Sequence, residues 1–347
     1  MTFRVTVFGA GSIGIFVGGK LAAAGADVTF VGRPRLLDEI SAAGLRLTDL
    51  DGGADRVAPT AFHVTTDPAD APPPDLVLVA VKSGQTAAAA EQLAATVAPG
   101  TVVLSLQNGI GNDTVIREVL PTCVVLAGMV LFNVAHRGEG CFHRGTDGGL
   151  AVAEDPALDR FAPLFARAGL DLQRVADLRP VQWAKLLINL NNPVNALSGL
   201  SLREELADRD YRRCWALAQS EALAVMRRAR IRPARLILPP ALLIRLLTLP
   251  NPLFARLAAR ILAVDPMARS SMADDLALGR KTEIAWLCGE IVELGRMLGT
   301  ATPVNARLVA LITAAEQGDP RRWSGPELLA QLRSAKSGAA EHPANER

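Results

Sequence analysis

An α/β N-terminal domain built on a parallel sheet, followed by an all-helical C-terminal domain, is the fold class this sequence predicts. Three observations carry it. A short apolar run at 4–8 leads directly into Gly9-Ala10-Gly11-Ser12-Ile13-Gly14 and then into a helical pattern to about residue 24. A second β-rich run follows at 28–31, so strand, glycine turn, helix and strand fall within about 30 residues, the length of a βαβ unit. β-rich runs recur to residue 152, whereas the period is helical almost throughout 180–313, and such a change of pattern marks two differently built halves.

The later elements follow in order. Residues 75–81 read as a buried strand after the breaker Ala71-Pro72-Pro73-Pro74, and Gly84 ends it. The alanine-rich stretch 85–97 reads as a helix, 101–106 as a strand, and 111–120 as a helix after the turn at Gly109. Residues 123–132 and 149–152 continue the β character. Apolar runs without polar alternation suit strands covered on both faces, as in parallel sheets. In the second half, 180–189 is a helix, and two short amphipathic helices are expected around Leu249-Pro250-Asn251-Pro252. The small, polar residues from 334 onward are expected to be disordered. The expected division is 1–175 for nucleotide binding, 176–330 for substrate binding and dimerisation, and 331–347 as a disordered tail.

Composition narrows the function classes. Of 347 residues half are apolar and 21% charged, and 37 Lys+Arg against 35 Asp+Glu leave a net charge of +2. That balance lacks the basic excess of a nucleic-acid binder. Cys123, Cys141, Cys214 and Cys288 are too scattered for a disulfide scaffold, and with four dispersed histidines no metal site is expected. The most membrane-like stretch, 238–264, is broken by Arg245, Arg256, Arg260 and four prolines, whereas a spanning helix needs about 20 largely uncharged residues. It is expected to pack within the second domain or at a homodimer contact. The N-terminus does not read as a signal peptide, so a cytoplasmic protein is expected.

Gly9-Ala10-Gly11-Ser12-Ile13-Gly14 fits G-x-G-x-x-G directly after a strand and at the start of a helix, the context that makes the motif a dinucleotide-binding, Rossmann-type turn. Gly9 permits the tight turn, Gly11 the approach of a pyrophosphate, and Gly14 the close packing of helix on sheet. The anion would rest on N–H groups at the helix start. The second strand ends Thr29-Phe30-Val31-Gly32-Arg33, with no acid to meet a ribose 2′-hydroxyl. A guanidinium there suits a 2′-phosphate, so NADP (as NADPH) is the expected cofactor; Arg35 reads as a surface charge. Lys82 and Asn108 stand at the carboxyl ends of later strands, where ligands of open parallel sheets bind.

In the helical half, Lys185 and Asn189 are four apart and share a helix face. Asn191, Asn192 and Asn195 follow, amides that are costly in an apolar setting unless partnered. Ser270 or Ser271 reads as a helix cap, and Ser271, Asp275 and Glu283 are expected along one helix, with Ser271 placed to hold a carboxylate.

Together these residues resemble the ketopantoate reductase family, the 2-dehydropantoate 2-reductases. The likeness covers roughly 4–311 and rests on the glycine motif, Val81-Lys82, Gln107-Asn108-Gly109, Lys185-x-x-x-Asn189, Ser270-Ser271-Met272 with Arg280-x-Thr282-Glu283, and Thr302-Pro303-Val304-Asn305. It implies NADPH-dependent reduction of 2-dehydropantoate to (R)-pantoate, on the route to pantothenate and coenzyme A. By residue, Lys185 matches the catalytic proton donor and Glu283 the acid that contacts the substrate hydroxyl. Ser271 matches the carboxylate-binding serine, Asn108 an asparagine near substrate and cofactor, and Lys82 a cofactor-side lysine. Asn189 matches the first substrate-contacting asparagine. The family's second falls where this chain has Pro193, which leaves Asn195 as the match if the neighbouring asparagines are an insertion. A reductase of another 2-oxo acid, or a nucleotide-binding regulator without catalysis, are the alternative readings.

Overall fold

The computed structural model describes residues 2–50, 52–236, 238–258, 268–319 and 321–341. The chain forms two compact units, Met1–Leu178 and Arg179–Arg347.

The first unit opens with β1 (Arg4–Phe8), α1 (Ser12–Ala23), β2 (Asp27–Val31), α2 (Pro34–Ala43), β3 (Leu45–Thr48), β4 (Ala54–Val57) and β5 (His63–Thr65). It continues through β6 (Leu76–Val79), α3 (Thr86–Ala94), β7 (Val102–Ser105), α4 (Asn112–Val119), β8 (Val124–Val130), β9 (Val134–His136) and β10 (Cys141–Arg144). β11 (Leu150–Ala153), α5 (Ala162–Arg167) and β12 (Leu172–Val175) close it. Eight strands make the main sheet in the order β12-β11-β8-β7-β6-β1-β2-β5. The six from β5 to β8 are parallel, but β11 runs antiparallel to β8, and β12 follows β11. The sheet is therefore mixed at one edge. The chain returns from β8 to β11 through a β-ribbon instead of a helix, a connection that antiparallel pairing allows.

Alternate residues of the central strands feed two cores. Leu76, Leu78, Val102 and Leu104 join α1 on one face, while Val77, Val79 and Val103 meet Ala89, Leu93 and Ile116 of α3 and α4 on the other. This period of two, with both faces buried, is what an apolar run without polar alternation encodes.

A second sheet, β4-β3-β10-β9, was not expected from the sequence. Its strands have three or four residues, and Arg46 and Arg56 are exposed between Leu45, Leu47 and Val57, which are buried. His143 stands 2.8 Å from the Thr48 hydroxyl across this sheet. The β9–β10 turn is tied to α2, because Glu39 accepts from Gly140 N–H at 2.9 Å and lies 2.6 Å from His136 Nε2.

The second unit is helical: α6 (Arg179–Asn189), α7 (Asn192–Ser198), α8 (Leu202–Ala207), α9 (Arg209–Arg228), α10 (Pro240–Leu247), α11 (Asn251–Leu257), α12 (Ser271–Ala277), α13 (Cys288–Met297), α14 (Pro303–Glu316) and α15 (Gly325–Glu341). The 20-residue α9 is its axis, with α10, α13, α14 and α15 packed on it. Arg212 of α9 has no exposed surface. It donates to the carbonyls of Leu206, Ala207, Leu247 and Leu249 and to Asn251 Oδ1, at 2.8–3.1 Å, and lies 4.0 Å from the Phe254 ring centroid. One cation thus terminates α8 and α10, where the partial negative charge of helix C-termini favours it, and anchors the start of α11.

One expectation changes here and another holds. Residues 331–341 belong to α15, because Leu328, Leu329 and Leu332 are buried and outweigh the polar composition of the surrounding sequence; residues 342–347 lie outside the described residues. Of the stretch 238–264, α10 and α11 form the two short helices on either side of the proline turn, and 259–264 lie outside the described residues. Among the described residues no helix is long and apolar enough to cross a membrane.

Candidate functional site

The glycine turn sits at the carboxyl end of β1, beside β6, where the strand order reverses. Gly9 has φ +107°, and a Cβ there would come within 2.5 Å of Val81 N; one on Gly14 would come within 2.3 Å of Gly9 O. Neither position tolerates a side chain, whereas a Cβ on Gly11 would meet nothing within 4 Å. The chain therefore folds tightly around a turn whose middle faces open space. The N–H groups of Gly9 and Ala10 are paired with Val31 O. The first turn of α1, from Ser12, Ile13 and Gly14, has no side-chain cap and no acid. Uncapped N–H donors at a helix start beside an unfilled glycine are the elements of an anion cradle, and they fit a dinucleotide pyrophosphate.

β2 delivers Gly32 against Ala10, leaving 2.5 Å between the Ala10 Cβ and any Cβ at position 32. The next residue, Arg33, is exposed at the start of α2, next to the glycine turn. Lys82 follows β6 and is half-buried. Asn108 follows β7, and its backbone is fixed by a buried polar network: Ser83 Oγ and Asn112 Nδ2 both donate to Asn108 O at 2.7 Å. Gln107 Nε2 donates to Val81 O (3.1 Å) and to Thr86 Oγ1 (2.7 Å), which is 2.8 Å from Asn112 Oδ1. Gln107 thus braces the ends of β6 and β7, a role that its position beside Asn108 in the sequence did not disclose.

In the second unit, Lys185 and Asn189 of α6 are buried, at 8% and 7% exposure. Burial alone lowers the Lys185 ammonium from 10.5 to about 8, since a low-dielectric setting disfavours the charged form. The last turn of α6 is pinned from α9, where Trp215 Nε1 and Gln219 Nε2 both donate to Leu187 O, at 3.2 and 3.0 Å.

Ser270, not Ser271, is the cap of α12. It is buried, its Oγ accepts from Ala273 N–H and donates to Asn192 O, both at 3.2 Å, and its N–H donates to Asn195 Oδ1 at 2.9 Å. Ser271 is left exposed. Asn195, expected to touch substrate, is wholly buried and committed to the protein: besides Ser270, its Nδ2 donates to Leu200 O at 3.1 Å and Glu205 Oε2 at 3.0 Å. Both its donors are spent, so it braces the cap and does not face a ligand. Asn305 of the Pro-x-Asn motif is likewise internal, since Glu221 accepts from its N–H, its Nδ2 and Val304 N–H at the start of α14.

Ser271, Asp275 and Glu283 do not share one helix. α12 ends at Ala277, Gly279 takes φ +61°, and Arg280 N–H turns back to Asp275 O. Glu283 is half-buried at the start of a short 3-10 turn, Ile284–Trp286. The residues before it are held by Glu316, which accepts from Thr282 N–H and Oγ1 at 2.8 and 2.7 Å and pairs with Lys281 at 3.1 Å. Sequence reasoning missed Glu316, which lies 34 residues from the loop it holds. Among the described residues, no group of three or more His, Cys, Asp or Glu could hold a metal ion.

A nucleotide cradle on a sheet of this topology, in a chain whose helical unit buries a lysine of lowered basicity, defines an NAD(P)-dependent oxidoreductase. The similarity to known proteins narrows that class. The family models described as ketopantoate reductase PanE/ApbA and its C-terminal part match residues 5–156 and 177–316. The chain belongs to the ketopantoate reductase family. It is 31% identical over 320 residues to a 2-dehydropantoate 2-reductase of Halobacterium salinarum, covering 90% of this chain and 99% of that one. A solved PanE/ApbA family ketopantoate reductase from Ralstonia eutropha JMP134 is also 31% identical, with a TM-score of 0.77 over 90% of this chain and 98% of that one. D-mandelate dehydrogenase, solved with NADH and anilino(oxo)acetate, has the same fold at 21% identity and a TM-score of 0.73, over 90% and 98% of the two chains.

Proposed function

We propose that this protein uses NADPH to reduce 2-dehydropantoate to (R)-pantoate. The observation that carries the reading is Lys185, a buried lysine brought to about 8 by desolvation at the position of the family's proton donor. The nicotinamide, when bound, supplies the hydride to C2 of the 2-oxo acid. Lys185 donates the proton to the C2 oxygen and stabilises its developing negative charge. Asn189 of the same helix face and Asn108 orient the substrate, Glu283 holds its hydroxyl, and the exposed Ser271 hydroxyl holds its carboxylate. Gly9 to Gly14 cradle the pyrophosphate, Lys82 meets the cofactor, and Arg33 meets the 2′-phosphate. Asn195 acts behind Ser270 and contacts neither.

The test is NADPH oxidation by the purified protein, followed by absorbance, over a panel of 2-oxo acids with NADH as cofactor control. A kcat/KM that is highest for 2-dehydropantoate with NADPH supports the reading. A better rate on another 2-oxo acid transfers the same residues to that substrate, and no turnover anywhere overturns the assignment of Lys185.

Two substitutions separate the subsites. Arg33→Asp is expected to weaken NADPH by about 10²-fold through loss of a charge-assisted contact, with NADH nearly unaffected; equal losses in a binding titration would remove Arg33 from the 2′-phosphate. Ser271→Ala is expected to raise KM about 10-fold with little change in kcat, the pattern of uniform binding. A fall in kcat at constant KM would contradict it.

A further inference from the structure

Behind the start of α12 lies a carboxyl group that the reaction above does not use. Glu205 of α8 has no exposed surface. Its Oε2 accepts from Asn191 Nδ2 at 3.2 Å and Asn195 Nδ2 at 3.0 Å. Its Oε1 and Asn191 Oδ1 are both buried without a hydrogen-bond partner among the described residues.

Two orphaned acceptors, on groups already joined by one hydrogen bond, are an arrangement that a single proton repairs. A carboxylic acid and a carboxamide pair through two opposed bonds, amide N–H to acid carbonyl and acid O–H to amide carbonyl. An ionised carboxylate only accepts, so it would leave Glu205 Oε1 and Asn191 Oδ1 both unpaired in a buried site, at the cost of desolvation. Among the described residues, the surroundings offer no counter-charge. α9 places Tyr211 and Cys214 near Glu205, and Asp208 precedes them. Arg212 is committed to carbonyls and Asn251, and Arg333 of α15 acts on Cys214. α7 and the residue before it contribute amides, and the α12 cap contributes a hydroxyl. Burial accordingly raises the Glu205 carboxyl from 4.5 to about 8, against the lowering effect of its two amide bonds.

We propose that Glu205 is held as a neutral carboxylic acid whose Oε1–H donates to Asn191 Oδ1, and that this acid–amide pair positions Asn195 and, through Ser270, the start of α12. The path is continuous: Glu205 Oε2 to Asn195 Nδ2 (3.0 Å), Asn195 Oδ1 to Ser270 N–H (2.9 Å), then Ser271. Glu205 is a positioning residue. Its effect on substrate rests on the reading of Ser271 as the carboxylate holder, whereas its protonation does not.

Because the folded state holds this proton more tightly than the unfolded chain, the stability from Glu205 is complete below pH 4.5 and is lost as pH rises through about 8. Glu205→Gln keeps both opposed bonds without a titrating group. Infrared pH titration of the protein without substrate is expected to show a protonated carboxyl carbonyl band at pH 7 that fades as pH passes about 8 and is missing in Glu205→Gln. The absence of that band in the wild type at pH 7 overturns the neutral acid. For positioning, Glu205→Gln is expected to keep KM for the 2-oxo acid near the wild-type value and to abolish its rise at alkaline pH. Glu205→Ala is expected to raise KM about 10-fold at unchanged NADPH affinity, and an unchanged KM in Glu205→Ala overturns the positioning role. If Glu205→Ala fails to fold, the alkaline KM profile of wild type against Glu205→Gln decides, and identical profiles overturn the role. Should no 2-oxo acid be turned over, the functional reading fails while the infrared band still decides the state of Glu205.

Discussion

Lys185→Met is expected to reduce kcat by about 10²–10⁴-fold, the range for loss of a positioned general acid, while NADPH binding is kept and the fold becomes more stable. The stability gain follows from the same burial. The unfolded chain binds the Lys185 proton at 10.5 and the folded chain only at about 8, so folding is penalised fully below pH 8 and the penalty is relieved as pH climbs toward 10.5. Removing the ammonium at pH 7 is expected to recover up to about 3 kcal/mol, read as a raised denaturation midpoint. In the wild type, kcat/KM should fall as pH rises through about 8 and Lys185 loses its proton. Near-normal turnover in Lys185→Met would end its assignment as proton donor. An unchanged midpoint would mean that burial does not hold the Lys185 ammonium below its ordinary value, so that folding carries no penalty for it.

Arg212→Leu is expected to be the most destabilising single change in the helical unit. Leucine fills part of the space but leaves four carbonyls and Asn251 Oδ1 without the donors that reach them at 2.8–3.1 Å. Stranding buried polar groups in this number costs about 3–5 kcal/mol, a large share of the ~5–15 kcal/mol that holds a domain folded. Arg212→Lys should recover only part, because an ammonium offers three donors and no planar fork. Urea unfolding measures both, and a midpoint unmoved in Arg212→Leu would show that the carbonyls find other partners.

The βαβ start and the helical second half were legible because their signals are local: apolar runs such as Leu76–Val79, a glycine turn between strand and helix, and a period that changes once. The β3, β4, β9 and β10 strands were not, since three or four residues with exposed Arg46 and Arg56 carry too little pattern. α15 was hidden by its alanines and serines, for its three buried leucines matter only once α9 and α14 are in place. Among the candidate site residues, the shared helix face of Lys185 and Asn189 was readable from their spacing of four, and both are buried there. Asn195 was misread because a cluster of amides does not disclose which of them a carboxylate ten residues ahead will claim. The break at Gly279 likewise removed Glu283 from the helix of Ser271. Such partners are chosen by tertiary packing, and Glu205, Arg212 and Glu316 are all groups whose role exists only there.

Glu39 ties α2 to the β9–β10 turn, holding Gly140, 101 residues away in sequence, at 2.9 Å. α2 begins immediately after Arg33. On the assignment of Arg33 to the 2′-phosphate, the choice between two nicotinamide cofactors has an adjusting screw remote from the nucleotide. On that assignment, substitutions at Glu39, His136 or Gly140, which form the tie, are expected to change the ratio of NADPH to NADH affinity without a change at the β2 end, as read by titration with both cofactors.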